Sequence, residues 1–145
     1  MGRLILPAGS RAYLDTVSVI YTVEGNPTYW SVLNDLWLAR RSGEIDLVTS
    51  ELTLLETLVR PLRDNNSELR LAYEHLLTGS DFGLVQISAS ILRVGAQYRA
   101  TQNLKTPDAI HAATASISGC SHFVTNDPVF RRLENIVVII LSDLI

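Results

Sequence analysis

Short apolar runs alternate with longer segments whose apolar residues recur at helical spacing. Runs of the first kind predict strands, and segments of the second kind predict helices that pack one face against a sheet. A chain in which strands alternate with helices predicts an α/β fold. We expect a three-layer sandwich with a central, mostly parallel sheet of four or five strands flanked by helices. The predicted strands are 11–15, 45–49, 83–87, 121–125 and 136–141, the last a β-branched run typical of a strand buried on both faces.

Turn and capping residues suggest where the first helices begin. The segment 16–23 is apolar enough for a strand or a helix, and we favour a helix that follows a strand ending at Asp15. Asn26 and Pro27 predict the start of the next helix, because they form a cap and first-turn pair. Trp30 and Trp37 lie at helical spacing in that segment, which predicts that both are core residues.

The following helix carries a candidate acid. Ser50 is suited to cap this helix, and Pro61 together with the DNNS stretch at 64–67 is expected to end it. Glu56 would then lie at the edge of the apolar stripe. The predicted stripe comprises Leu52, Leu55, Leu58 and Val59.

The stretch 104–115 reads LKTPDAIHAATA and predicts a helix start that fixes an acid. Thr106 can cap the helix with its hydroxyl, and Pro107 suits the first helical position. Asp108 then lies in the first turn. Two interpretations stay open: an acid that complements the helix dipole, or a site residue at the mouth of a buried helix.

The composition predicts one folded domain. The chain has 145 residues, 47% hydrophobic and 19% charged, with no run of the ~20 apolar residues that a membrane span needs. We divide it into a loose N-terminal arm (1–10) and a domain (11–145). The arm's apolar core is too short for a secretory signal, and the single Cys120 has no disulfide partner, so we expect a cytoplasmic protein.

The charge balance limits how the chain could bind nucleic acid. A formal net charge of −3 argues against binding through bulk positive charge. Eleven of the twelve basic residues are arginines, and pairs such as Arg40-Arg41 and Arg131-Arg132 could still form local positive patches. Solvated surface positions are the default for such pairs.

Four acids are expected to converge on one edge of the sheet. Asp15 and Asp127 follow predicted strands, and ligands of open α/β sheets bind outside the carboxyl ends of the strands. Asp108 and Glu56, on helices, can reach the same rim. Four carboxylates in one place repel one another unless a cation neutralises them. Oxygen ligands alone suit Mg²⁺ or Mn²⁺ better than Zn²⁺.

Four segments, in order and spacing, resemble the PIN-domain ribonucleases and, among them, the VapC-type toxins of toxin–antitoxin pairs. Each segment is weakly specific alone, but the four in register cover nearly the whole chain from Arg11 onward. They are YLDTVSVIY around Asp15, TSELTLLETLVRP around Glu56, LKTPDAIHAATA around Asp108 and FVTNDPVFRRL around Asp127.

The resemblance implies a metal-dependent endoribonuclease with a PIN-like domain over 11–145. Asp15 and Asp108 would be the principal Mg²⁺ (or Mn²⁺) ligands, and Glu56 and Asp127 would complete the acidic pocket directly or through water. The TND triplet would supply the family's supporting polar residues. The resemblance also implies a homodimer, an RNA substrate and a small antitoxin whose C-terminal tail covers the pocket. The supporting residues are Thr125 and Asn126.

The chain departs from the resembling family in its ten-residue arm and at Val17, where many members carry Asn or Ser. His111 lies one turn after Asp108, but a packed, hydrogen-bonded histidine is favoured over a ligand. One alternative is a PIN-like module that binds RNA or an antitoxin without turnover. Another, a phosphohydrolase of the haloacid-dehalogenase type, would need a second Asp where Val17 stands.

Overall fold

A computed structural model describes residues 2–145 of the chain. These residues contain one five-stranded sheet. The strand order is β3-β2-β1-β4-β5, and every neighbouring pair is parallel. This confirms the predicted α/β class with a parallel sheet. The strands are β1 (Arg11–Leu14), β2 (Asp46–Ser50), β3 (Gly83–Val85), β4 (His122–Thr125) and β5 (Val137–Ile140).

Six helices flank the sheet, and the segment 16–23 is helical, as favoured from the sequence. Side chains of β1 alternate between two core clusters: Ala12 and Leu14 belong to one, and Tyr13 belongs to the other. Because successive strand residues point to opposite faces, both faces of the sheet are covered. The helices are α1 (Thr16–Val23), α2 (Trp30–Arg41), α3 (Glu51–Arg63), α4 (Ser67–Thr78), α5 (Ala89–Gln102) and α6 (Thr106–Ile117), with short 3₁₀ turns at Pro128–Arg132 and Leu141–Leu144.

The predicted start of α2 was wrong. Asn26 accepts hydrogen bonds from the backbone N–H groups of Thr28 and Tyr29, so it closes a turn ahead of the helix, which begins at Trp30. Trp37 is a core residue, only 3% exposed, whereas Trp30, predicted as core, is 40% exposed.

The predicted apolar stripe of α3 was wrong too. Ser50 caps the helix as expected, by accepting from the N–H of Leu52. The buried face, however, carries Thr53, Thr57 and Pro61, while Leu55 and Val59 are exposed. Pro61 lies inside the helix, which ends at Arg63, directly before the DNNS stretch that was expected to end it. The hydroxyl of Thr53 meets those of Thr16 and Thr49, whereas the hydroxyl of Thr57 donates to the carbonyl of Leu54 in the same helix.

Two further expectations need correction. Thr106 does not cap α6, because the helix already includes it and its hydroxyl accepts a hydrogen bond from Arg99 (2.6 Å). Strand β5 is not buried on both faces: it is the last strand of the sheet, and Val137 is exposed. Its β-branched residues indicated a strand correctly but not its place at the edge.

The N-terminal arm is packed, although the sequence suggested that it would be loose. Leu4 and Leu6 are buried in the first core cluster, and the N–H of Gly2 donates to the carbonyl of Leu144 (2.7 Å). Cys120 is buried, and burial raises the pKa of its thiol to about 12, consistent with a packing role. Within 2–145, none of the helices combines the length and apolar character that crossing a membrane requires.

Candidate active site

A cleft of about 400 Å³ opens where the parallel strands end. Residues that follow β1 and β4 line it, together with residues from α3 and α6. All four predicted acids lie in this one cleft, although they are far apart in the chain. The lining comprises Asp15, Thr16, Val17, Tyr21, Glu56, Asp108, His111, Asn126, Asp127, Pro128 and Phe130.

Asp15 is the most buried of the four acids. It directly follows β1 and caps α1, and its Oδ1 accepts from the backbone N–H (3.2 Å) and the hydroxyl (2.9 Å) of Ser18. The Thr125 hydroxyl donates to Oδ2. The residue is 6% exposed, and burial raises the pKa of its carboxyl despite these hydrogen bonds. Both carboxylate oxygens are therefore held in place by the fold.

Glu56 is held by a second set of donors. Its Oε1 accepts from the Thr16 hydroxyl (2.7 Å) and from Nε2 of His111 (2.7 Å). Burial raises the pKa of Glu56, but the hydrogen bonds from His111 and Thr16 outweigh it, so the net pKa lies below its ordinary value. Glu56 thus enters the cleft as a carboxylate supported from α1 and α6.

His111 connects the cleft to the second core cluster. It is 4% exposed, and its Nδ1 lies 2.5 Å from the hydroxyl of Tyr13 on β1. Both ring nitrogens have protein partners, which confirms the packed, hydrogen-bonded histidine favoured from the sequence. The ring also packs edge-on against the Tyr13 ring.

Asp108 lies in the first turn of α6, and among residues 2–145 no group donates a hydrogen bond to its carboxylate. Burial is the largest cause of the raised pKa of Asp108, and the charge of Asp127 is the next. Glu56 raises the pKa further, while His111 and Lys105 lower it. The like charges of the neighbouring acids therefore add to the effect of burial, because a like charge disfavours ionisation.

Asp127 and Asn126 form the rim on the β4 side. One oxygen of Asp127 accepts from the N–H of Val129 (3.0 Å), and its own N–H donates to the Thr125 hydroxyl (3.0 Å). Asn126 donates to the hydroxyl of Tyr21 (3.3 Å) and accepts from the N–H of Ser142 (2.9 Å). The TND triplet therefore braces Asp15 and fixes the loop after β4.

The donor set of the cleft fits a hard divalent cation. Carboxylate oxygens from four segments face one space, and their mutual repulsion is the condition that a cation relieves. Within the described chain, however, no three histidine, cysteine or acidic side chains are arranged so that they could hold an ion as they stand. Small side-chain movements of the less supported acids would be needed to complete a coordination shell.

Sequence reasoning singled out Thr125 and His111, but it missed the donors Thr16 and Ser18 and the tyrosine behind His111. Thr16 and Ser18 immediately follow Asp15, and an acid at a helix N-cap with a serine three residues later indicates a capping arrangement. That signal was available. Tyr13 carried no such signal, because its hydroxyl meets His111 only through the pairing of β1 with the sheet and the packing of α6 upon it.

Comparisons with known proteins agree with this geometry. A family model described as "PIN domain" matches residues 12–136. No curated protein matches the chain significantly.

Solved structures share the fold at low sequence identity. The VapBC2 complex from Rickettsia felis, bound to a promoter DNA fragment, has a TM-score of 0.72 at 18% identity, over 89% of this chain and 97% of its own. A toxin–antitoxin complex from Klebsiella pneumoniae has 0.65 at 23%, over 90% and 97%. A Mycobacterium tuberculosis VapC toxin that cleaves the sarcin–ricin loop has 0.63 at 14%, over 77% and 86%.

Proposed function

This chain belongs to the PIN-domain family, and we propose that it is a Mg²⁺-dependent endoribonuclease that acts as the toxin of a toxin–antitoxin pair. The observation that carries the proposal is the convergence of Asp15, Glu56, Asp108 and Asp127 in one cleft. Family membership supports a nuclease. The structural likeness to a toxin that cleaves the sarcin–ricin loop supports RNA as the substrate class.

The roles of the cleft residues follow from their support. Asp15 and Asp108 would be the principal ligands of the ion, with Glu56 and Asp127 bound to it directly or through water. When bound, Mg²⁺ (or Mn²⁺) would activate a water molecule and neutralise charge on the scissile phosphate. Thr125 and Ser18 each donate a hydrogen bond to Asp15 and so fix the orientation of its carboxylate. No side chain of the cleft is required as a nucleophile.

Partners are proposed from the relatives. Structures of similar fold are toxin–antitoxin complexes, which supports a small antitoxin protein as the partner of this chain. We expect the antitoxin's C-terminal tail to cover the acidic cleft, and we expect the chain itself to form a homodimer. With a formal net charge of −3, RNA binding would depend on the bound cation and on local arginines.

The test is a cleavage assay on a broad RNA panel, using purified protein freed of any partner, with Mg²⁺, Mn²⁺ or EDTA. Wild type should cleave only with the metals. Asp108→Asn should abolish cleavage and growth inhibition, while Asp81→Asn, an exposed aspartate outside the cleft, should preserve both. A folded wild type that cleaves nothing with either metal would refute the nuclease proposal.

A second candidate is a PIN-like module that binds RNA or an antitoxin without turnover. The lack of a ready-made metal-binding group within 2–145 favours it. It predicts that binding survives neutralisation of the acids, and that no metal produces cleavage products. The same purified variants therefore separate the two functions.

A further inference from the structure

Three side chains from three separate elements form a hydrogen-bonded chain that ends in the cleft. The Tyr13 hydroxyl on β1 contacts Nδ1 of His111 on α6 (2.5 Å), and Nε2 of His111 contacts Oε1 of Glu56 on α3 (2.7 Å). Tyr13 is fully buried and His111 is nearly so. This series of hydrogen bonds therefore runs from the core of the protein to an acid at the site.

The donors and acceptors of these hydrogen bonds indicate which ring nitrogen of His111 carries a proton. A carboxylate can only accept, so the short contact to Glu56 requires a proton on Nε2 of His111. In the Nε2–H tautomer the lone pair on Nδ1 accepts a hydrogen bond from the hydroxyl of Tyr13. The opposite tautomer would place a lone pair of Nε2 against the Glu56 carboxylate at 2.7 Å, an unfavourable contact.

These contacts fix one oxygen of Glu56. The Thr16 hydroxyl donates to the same Oε1 (2.7 Å) and also lies 3.3 Å from Nε2 of His111. Two donors on Oε1 hold the carboxylate and leave Oε2 to meet whatever enters the cleft that Glu56 lines.

We propose that His111 is a positioning residue that orients Glu56 toward the cation site, with its tautomer set by the buried hydroxyl of Tyr13. The inference rests on the proposed nuclease function, and it assigns His111 no contact with the substrate or the ion. Mutation of a residue that hydrogen-bonds a metal ligand typically lowers metal affinity or activity about 10- to 100-fold, and we expect this range for His111.

The first test is spectroscopic and needs no activity. Long-range ¹H–¹⁵N correlation spectra of the metal-free, ¹⁵N-histidine-labelled protein report the tautomer of each of its three histidines. The signal lost in His111→Gln identifies His111. We expect the Nε2–H tautomer in wild type and a loss of this single form in Tyr13→Phe. An Nδ1–H tautomer in wild type would overturn the proposal.

The second test compares two buried tyrosines. Tyr73→Phe is the matched control, because Tyr73 is almost equally buried and its hydroxyl also donates a hydrogen bond, in this case to Glu24, which lies outside the cleft lining. We expect Tyr13→Phe to weaken direct Mn²⁺ binding by about 10-fold, and Tyr73→Phe to leave it unchanged. Equal Mn²⁺ affinities for the two variants would overturn the proposal.

Substitution of His111 itself completes the design. His111→Leu removes both hydrogen bonds, whereas His111→Gln keeps an amide that can donate to Glu56. We expect the glutamine variant to retain more Mn²⁺ affinity than the leucine variant; equal losses in two folded variants would contradict the positioning role. If the leucine variant does not fold, the tyrosine comparison decides. If the tautomer and the Mn²⁺ affinities were as expected but no RNA were cleaved, the nuclease proposal would be refuted. The proposal that His111 positions Glu56 would still hold.

Discussion

Asp15 and Glu56 are held by side-chain and backbone donors of the fold, whereas Asp108 and Asp127, in the same cleft, are held far less. We call the first two acids the supported pair and the other two the open pair. The supported pair accepts from hydroxyls, an imidazole and a backbone N–H. The open pair has one backbone N–H on Asp127, and no described group donates to Asp108.

The difference shows what folding sets and what it leaves for a ligand. Hydrogen bonds already orient the supported pair before anything binds, so these acids lose little freedom when a cation enters. The open pair keeps its charges close without neutralising them, as the raised pKa of Asp108 indicates. Half of the site is therefore preorganised, and the other half is expected to be completed by the ion.

The largest expected effect is loss of cleavage when one acid of either pair is neutralised. Asp15→Asn and Asp108→Asn should each lower the cleavage rate by at least about 10²-fold, the scale for removing one charge-stabilising group at a reacting centre. The cleavage rate of the double variant should be no lower than that of the less active single variant, because the two pairs serve one ion. Single-turnover RNA cleavage measures this. If the fold-loss of the double variant equalled the product of the two single-variant losses, the pairs would act independently.

The next effect tests the support of Asp15. Thr125→Val keeps the shape of a fully buried side chain but removes its donor to Asp15 and its acceptor for the N–H of Asp127. We expect the free energy of unfolding to fall by about 1–3 kcal/mol and cleavage to fall about 10- to 100-fold. Chemical denaturation and the cleavage assay measure the two quantities.

Thr114→Val is the matched control for that prediction. Thr114 is equally buried, on α6, and its hydroxyl donates to the carbonyl of Ile110 (2.7 Å), which is already an acceptor within the helix. We expect this variant to be nearly neutral in both assays. If the two threonine variants behaved alike, hydroxyl support of Asp15 would have no special role.

The positions of three of the acids could be predicted from local sequence patterns. Asp15 and Asp127 follow short apolar runs, and Asp108 follows the Thr-Pro pair of a helix start. Glu56 lies within α3, where the predicted apolar stripe was wrong. The parallel sheet then brings those ends to one edge. Convergence could thus be predicted from local patterns and one topological rule.

The supporting contacts and the exposed faces could not be predicted in the same way. The Tyr13 to His111 contact joins residues 98 positions apart and depends on the packing of α6 against β1. On α3, apolar residues at helical spacing indicated a buried stripe, yet Thr53 and Thr57 occupy the buried face. Periodicity locates an apolar face but does not say whether the domain's own core covers it.

A smaller effect should appear as cation-dependent stability. Mn²⁺ at about ten times its Kd should stabilise the wild type by about 1.4 kcal/mol, a shift of about 3–6 °C in Tm. Asp108→Asn should lose this shift, because the open pair completes the site. Thermal unfolding monitored by circular dichroism, with Asp81→Asn as the control, measures it. An undiminished shift in Asp108→Asn would place the ion elsewhere.

The smallest effects concern the metal-free protein, where one acid of each pair, Glu56 and Asp108, should respond to pH with opposite signs. The pKa of Glu56 is lowered in the folded state, so its ionised form stabilises the fold above the unfolded pKa, and this stability is lost as the pH falls through the lower folded value. Glu56→Gln should therefore lower Tm at pH 7 in EDTA. The deficit should shrink as the pH falls below the ordinary range of a glutamate.

Asp108→Asn should do the reverse. The folded pKa of Asp108 is raised by burial and by Asp127 and Glu56, so the native protein loses stability as the pH rises from the unfolded value through the folded one. Removing the charge should raise Tm slightly at pH 7 in EDTA, and the gain should vanish at low pH. An acid in a first helical turn is normally favoured by the helix dipole. A lower Tm for Asp108→Asn at pH 7 would mean that the dipole outweighs the repulsion and that the open pair stores no strain for a cation to relieve.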